Sequence, residues 1–230
     1  MASLIAEGVP PESIVAFTFT EKAAAELKER VARRVAERMG EGFLDRLGPM
    51  YVGTIHSYCF RLLQTHVPKY GNFEVLDENR HAGFLSREFR RLGLGKLGNG
   101  HWKTIQAFTE AVDVVSNELI DADVLDGDLG DGYRAYLDTL DRYHFLTFGR
   151  LVALAVEELG DIDVFTRVHS PLRYLFVDEY QDVNPAQEKL VEILATAPVE
   201  LCVVGDDDQS IYQWRGSDVA NILTFARRYD

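Results

Sequence analysis

The sequence predicts an α/β protein whose parallel sheet is interrupted by a long helical insertion. Three observations predict it. A β-branched and aromatic run near the start feeds straight into a strong helix former, continuous apolar runs of strand length return after residue 168, and the residues between them follow helical period.

The first α/β stretch covers residues 1–71. Residues 13–20, Ser-Ile-Val-Ala-Phe-Thr-Phe-Thr, follow a Pro-Pro-Glu turn and run into Glu-Lys-Ala-Ala-Ala-Glu-Leu-Lys-Glu-Arg at 21–30, which reads as a strand feeding a helix. Residues 50–55 repeat the arrangement as a short strand, and 56–66 form the helix after it, carrying Tyr58, Phe60, Leu62 and Leu63. Residues 72–168 are expected to be an all-helical insertion. Phe84, Leu85, Phe89 and Leu92, then Ile105, Phe108, Val112 and Val115, then Tyr133, Tyr136, Leu137 and Leu140 recur at helical spacing. A Gly-rich connector at 93–100 and an acidic one at 121–131 read as mobile loops. The Gly-rich one lacks a preceding strand and a Gly-Lys-Ser/Thr ending, so it is a linker and not a phosphate loop.

The second α/β stretch covers residues 169–230. Residues 172–177 are a continuous apolar run, as in a strand buried on both faces. Asn184, Pro185 and Gln187 supply an N-cap, a proline at the first helical position and the returning amide of a capping box, for a helix reaching Leu194. Residues 200–204 form the next strand. Strand, helix, strand implies a right-handed crossover in a parallel sheet, whose ligand chemistry collects at the carboxyl ends, where Asp178, Glu179 and Asp206 fall.

With 230 residues, 47% of them hydrophobic, the chain can bury a sizeable core. No run is apolar enough for a bilayer and the start lacks the features of a signal peptide, so a cytoplasmic location is the default expectation. Cys59 and Cys202 lie in apolar surroundings without partners at metal-ligand spacing and are expected to be buried thiols. His66, His81, His101, His144 and His169 are scattered without ligand spacing. A net charge of −13 excludes a grip on nucleic acid through a broad basic surface, so any such grip is local.

Asp178 and Glu179 close an apolar strand, where adjacent side chains diverge and can serve a metal and a water separately. Phosphoryl transfer needs that division of labour. An isolated Asp-Glu reads more readily as a solvated strand end, and Asp206, Asp207 and Asp208 alone are also compatible with a metal-dependent nuclease. The longer pattern decides between these readings. Asp-Glu-Tyr-Gln-Asp at 178–182, followed by Val-Val-Gly-Asp-Asp-Asp-Gln-Ser-Ile-Tyr-Gln-Trp-Arg-Gly at 203–216, resembles motifs II and III of the UvrD/Rep family of superfamily 1 DNA helicases. Residues 17–27, Phe-Thr-Phe-Thr-Glu-Lys-Ala-Ala-Ala-Glu-Leu, resemble motif Ia, and 53–60, Gly-Thr-Ile-His-Ser-Tyr-Cys-Phe, the next DNA-contacting motif.

The resemblance implies a P-loop NTPase (RecA-like) sheet as domain 1A, at 1–71 and 169–230, with the all-helical insertion as subdomain 1B. It implies ATP and Mg²⁺ as cofactors and 3′ to 5′ movement on single-stranded DNA. Single strands and duplex junctions are the implied partners, with no membrane, together with a second motor domain or a partner chain. Asp178 becomes the Mg²⁺ ligand, Glu179 the base for water, and Gln209 the γ-phosphate sensor. Arg215 is assigned to the nucleotide and, with Tyr212 and Trp214, to the strand. Phe19 is assigned to stacking or to a wedge, Thr18 and Thr20 to phosphate or backbone contacts, and Thr54, His56 and Ser57 to the DNA backbone. On spacing alone, Phe17 and Phe19 fit two core residues as well, and His56 fits a helix cap.

Two departures stand out. The 230 residues contain no Gly-rich loop ending Gly-Lys-Thr or Gly-Lys-Ser. A strand is therefore expected to be absent beside residues 174–177, leaving apolar edges exposed, and the polypeptide alone is expected to show no DNA-stimulated ATPase. Glu21 stands where the family commonly has Asn, and its charge should weaken a phosphate contact there. The alternative is a non-catalytic module that binds single-stranded DNA or a partner through Phe19, His56 and Trp214.

Overall fold

The computed structural model describes residues 1–98, 100–206 and 225–229. Its centre is a four-stranded, wholly parallel sheet of β1 (Ile14–Thr18), β2 (Tyr51–Thr54), β5 (Tyr174–Val177) and β6 (Glu200–Val203), in the order β2-β1-β5-β6. Phe17 lies opposite Val177, and Val177 opposite Val203, so the carboxyl ends of three strands finish level. Alternation along the strands divides the core. Val15, Phe17, Leu175 and Val177 enter the main apolar cluster, while Ile14, Tyr174 and Phe176 meet Ile5, Val31 and Val35 on the opposite face.

The second face is covered by α1 (Ala2–Ala6) and α2 (Glu21–Met39). Thr20 opens α2 by accepting the Ala23 N–H on its side chain, and Gly40 ends it at φ 86°, a conformation that costs other residues more. The first face is packed by α3 (Ile55–His66), α7 (Phe148–Glu158), α8 (Ile162–His169) and α9 (Pro185–Leu194). The capping box at the start of α9 is present: Asn184 accepts the Gln187 N–H, and the Gln187 side chain accepts the Asn184 N–H. The last described element is α10 (Phe225–Tyr229).

A second core forms where α4 (Glu78–Glu88), α5 (His101–Asn117) and α6 (Gly127–Tyr143) meet around Phe84, Phe108 and Tyr136. Beside it β3 (Glu74–Leu76) and β4 (Phe145–Thr147) make a short parallel pair, so the middle of the chain is not wholly helical. Leu146, which follows this core, already belongs to the main cluster, as do α7 and α8.

Three expectations are corrected. β5 is flanked by β1 and β6, so no place beside it is empty; among the described residues the open edges belong to β2 and β6. Apolar composition marks a strand as buried without naming its neighbours. Cys59 is buried as expected, but Cys202 is exposed because it lies on the edge strand β6. The Gly-rich connector is anchored at its start: Leu94 is buried in the second core, as is Leu92 just before it, and the Leu92 carbonyl lies against Gly132, where a Cβ would stand 3.2 Å away.

Candidate functional site

Because all four strands run parallel, the segments leaving them emerge along one edge of the sheet. The passage from β1 into α2 carries Thr18, Phe19, Thr20 and Glu21; the end of β2 and the first turn of α3 carry Thr54, His56 and Ser57; β5 leads to Asp178 and Glu179, and β6 to Asp206.

Phe17 and Phe19, indistinguishable by alternation, separate sharply. Phe17 is 1% exposed and meets Tyr58 edge to face, whereas Phe19 is 37% exposed at the rim. Thr18 is buried, its hydroxyl donating to the Thr20 carbonyl at 3.1 Å, and Thr20 caps α2. The Tyr51 ring folds over Gly53: a Cβ there would stand 2.6 Å from the Tyr51 hydroxyl oxygen, which donates to the Thr54 carbonyl, so a side chain at 53 would displace the ring. Tyr51 packs in turn on Tyr58, giving the rim an aromatic floor.

Thr54, and not His56, caps α3, accepting the Ser57 N–H. The Thr54 and Ser57 hydroxyls both reach Glu21 Oε1, at 3.0 and 2.8 Å. Glu21 thus joins the start of α2 to the start of α3, a tie that spacing gave no reason to expect. The His56 ring meets Phe148 edge to face, with centroids 6.1 Å apart, and burial pushes the His56 pKa down toward a neutral imidazole. Phe148 is 51% exposed at the start of α7 and was missed from sequence. An aromatic residue opening a helix after a short strand carries no signal of its own.

Glu179 follows β5 with φ 53° and ψ 43°, a left-handed conformation unusual for a side chain of its size. Its side chain accepts from Gln181 Nε2 at 2.7 Å, and its N–H donates to Asp178 Oδ1. Asp178 is half-buried and Glu179 exposed, so the two carboxylates differ in setting. Among the described residues no three His, Cys, Asp or Glu side chains gather as a metal cluster. A single half-buried carboxylate suits Mg²⁺, which takes one or two protein carboxylates and fills its remaining positions with phosphate oxygens and water. Asp182 is buried with one carboxylate oxygen lacking a hydrogen-bond partner among the described residues; burial first, then the Glu179 charge, raises its pKa. Behind this strand end, the buried Glu188 carboxylate accepts from the Tyr180 hydroxyl, the Tyr229 hydroxyl and Arg228. Gln209, Tyr212, Trp214 and Arg215 lie outside the described residues.

Level strand ends that bring carboxylates, hydroxyls and exposed rings to one edge define the class: a parallel α/β domain, the kind of fold in which ligands bind at the carboxyl edge of the sheet. The particular family follows from the whole chain. Residues 1–230 match the UvrD/REP helicase N-terminal domain, and the chain belongs to that family. It is similar to the ATP-dependent DNA helicase PcrA of Staphylococcus aureus (strain Mu50 / ATCC 700699), at 34% identity over 96% of this chain and 30% of the relative. PcrA of Bacillus subtilis (strain 168) is 34% identical over 100% of the chain and 31% of its own length, and PcrA of Leuconostoc citreum 33% over 95% and 29%. The chain therefore spans just under a third of these relatives. Among the described residues no helix is long and apolar enough to cross a membrane.

Proposed function

We propose that this chain supplies the water-activating and strand-holding edge of an ATP-dependent DNA helicase that moves 3′ to 5′ on single-stranded DNA. The observation that carries the proposal is the convergence, on one edge of the sheet, of the strand ends bearing Asp178, Glu179, Phe19, Thr54 and Ser57. In this reading residues 1–71 and 169–230 form the RecA-like domain and 72–168 its insertion, whose last two helices, α7 and α8, pack back into the sheet's core.

Asp178 would hold Mg²⁺, which would supply positive charge against the nucleotide's phosphates. Glu179, whose backbone is left-handed, orients the attacking water and accepts its proton. Gln209 and Arg215 touch the nucleotide. Phe19 and Phe148 present exposed rings on which bases stack without sequence readout, each stacked base contributing about 1–3 kcal/mol. By the family resemblance Tyr212 and Trp214 are further contacts to the strand. His56 backs the Phe148 ring, and Thr54, Ser57 and Thr20 hold phosphates near the starts of α2 and α3. Thr18, being buried, acts through the shape of its turn.

The test is ATP turnover by the longest product of the gene, with and without oligothymidylate. The expected result is DNA-stimulated hydrolysis, abolished by Glu179→Gln, whereas the 230 residues alone give no stimulated turnover. Tight binding of single strands with no turnover in any form moves the assignment to the non-catalytic binding module.

A further inference from the structure

Gln181 is 1% exposed, yet its side-chain amide faces two different strand ends. Its Nε2 donates to Glu179 Oε2 at 2.7 Å, and its Oε1 accepts the Asp206 N–H at 3.0 Å. A backbone bond runs parallel to this bridge, from the Tyr180 N–H to the Val204 carbonyl at 3.0 Å. Without the bond from Gln181 an exposed glutamate has several rotamers to visit.

We infer that Gln181 is a positioning residue, which fixes the Glu179 carboxylate and ties its orientation to the segment leaving β6. The inference rests on the reading of Glu179 as the group that activates water. The residue type is what the geometry demands. One planar amide offers a donor to the carboxylate and an acceptor to the N–H; a glutamate would present only acceptors, and a lysine only donors. Burial makes both bonds matter, because an amide out of water loses more when a partner is missing. The segment beyond Asp206 continues to Gln209 and Trp214 in the sequence. A displacement of Asp206 moves its N–H, and through Gln181 it moves the carboxylate that handles water.

The experiment substitutes Gln181→Met, of similar length but without the amide, in the longest product of the gene. The same change is made in a Glu179→Gln background. The expected result is a loss in kcat of about 10- to 100-fold, with KM for ATP within about twofold. In the Glu179→Gln background, measured by single turnover, the further loss should stay under about twofold, because a residue acting through Glu179 has nothing left to position. In the nucleotide-free protein, hydrogen exchange at the Asp206 amide should accelerate at least about tenfold while the Tyr180 amide keeps its protection.

An unchanged kcat, a full additive loss in the Glu179→Gln background, or unaltered Asp206 exchange overturns the inference. So does loss of protection at Tyr180, which marks a general loosening of the strand ends. The two levels of the argument fail differently. Turnover that is absent from the parent, or that survives Glu179→Gln, removes the proposed function and the inference with it. Turnover lost in Glu179→Gln but kept in Gln181→Met removes the inference alone.

Discussion

Replacing Glu21 with glutamine should tighten single-stranded DNA binding, and the structure sets the size of the effect. Glu21 Oε1 accepts from Ser57 Oγ at 2.8 Å and from Thr54 Oγ1 at 3.0 Å. A phosphodiester using the same hydroxyls brings its charge to within about 4 Å of the carboxylate, where two unit charges in a water-like medium repel by about 1 kcal/mol. At 0.15 M salt, with a screening length of about 8 Å, roughly 0.6 kcal/mol of that survives. Glu21→Gln should therefore tighten binding about fivefold at low salt and about threefold at 0.15 M. The assay is fluorescence anisotropy of a labelled oligothymidylate titrated with the chain across a salt series. Glu29→Gln is the control, since it removes the same charge about 12 Å further along α2. Binding by Glu21→Gln that is equal to or weaker than the parent's would refute the reasoning, and so would an equal gain from Glu29→Gln, which reduces the effect to net charge.

Other outcomes follow from the packing. Burial lowers the His81 pKa to about 4 while its ring meets the Tyr136 hydroxyl at 2.9 Å. The folded state binds its proton less readily than the unfolded chain, so this contribution is complete above about pH 6.5 and is lost as pH falls toward 4, by roughly 3 kcal/mol. Urea unfolding at pH 7 and pH 4 should show that extra loss in the parent relative to His81→Gln; parallel losses would remove the assignment. Glu188→Ala leaves Tyr180, Arg228 and Tyr229 without their shared acceptor and should cost about 2–4 kcal/mol in urea unfolding, part of it restored in Glu188→Gln, whose one carbonyl oxygen can still accept from Arg228 and Tyr229. A cost below about 0.5 kcal/mol would show that the carboxylate does not fasten α10 to the strand end. Of the two thiols, Cys202 is exposed and should react quickly with an aromatic disulfide reagent. Cys59, whose thiol burial pushes up, should react only on unfolding; fast labelling of both would contradict the packing of α3 on α7.

The sequence by itself determined the local elements and the family. The β1 run ending at Thr18, the helix opened by Thr20, and the capping box of Asn184 and Gln187 all depend on neighbours within a few residues, so propensity and hydrogen-bond chemistry specify them directly. The ordered motifs were legible for the same reason, each being a short run with its own chemistry. Only the tertiary structure decided which strand flanks β5, that Cys202 lies on an edge, that Phe17 is interior while Phe19 is at the rim, and that α7 and α8 join the sheet's core. It alone brought Glu21 to Thr54 and Ser57, His56 to Phe148, and Gln181 between Glu179 and Asp206. The physical reason is that an apolar run states how strongly it seeks burial but not against what. Contacts between residues far apart in the chain are chosen by the packing of the whole fold, and no local pattern encodes them.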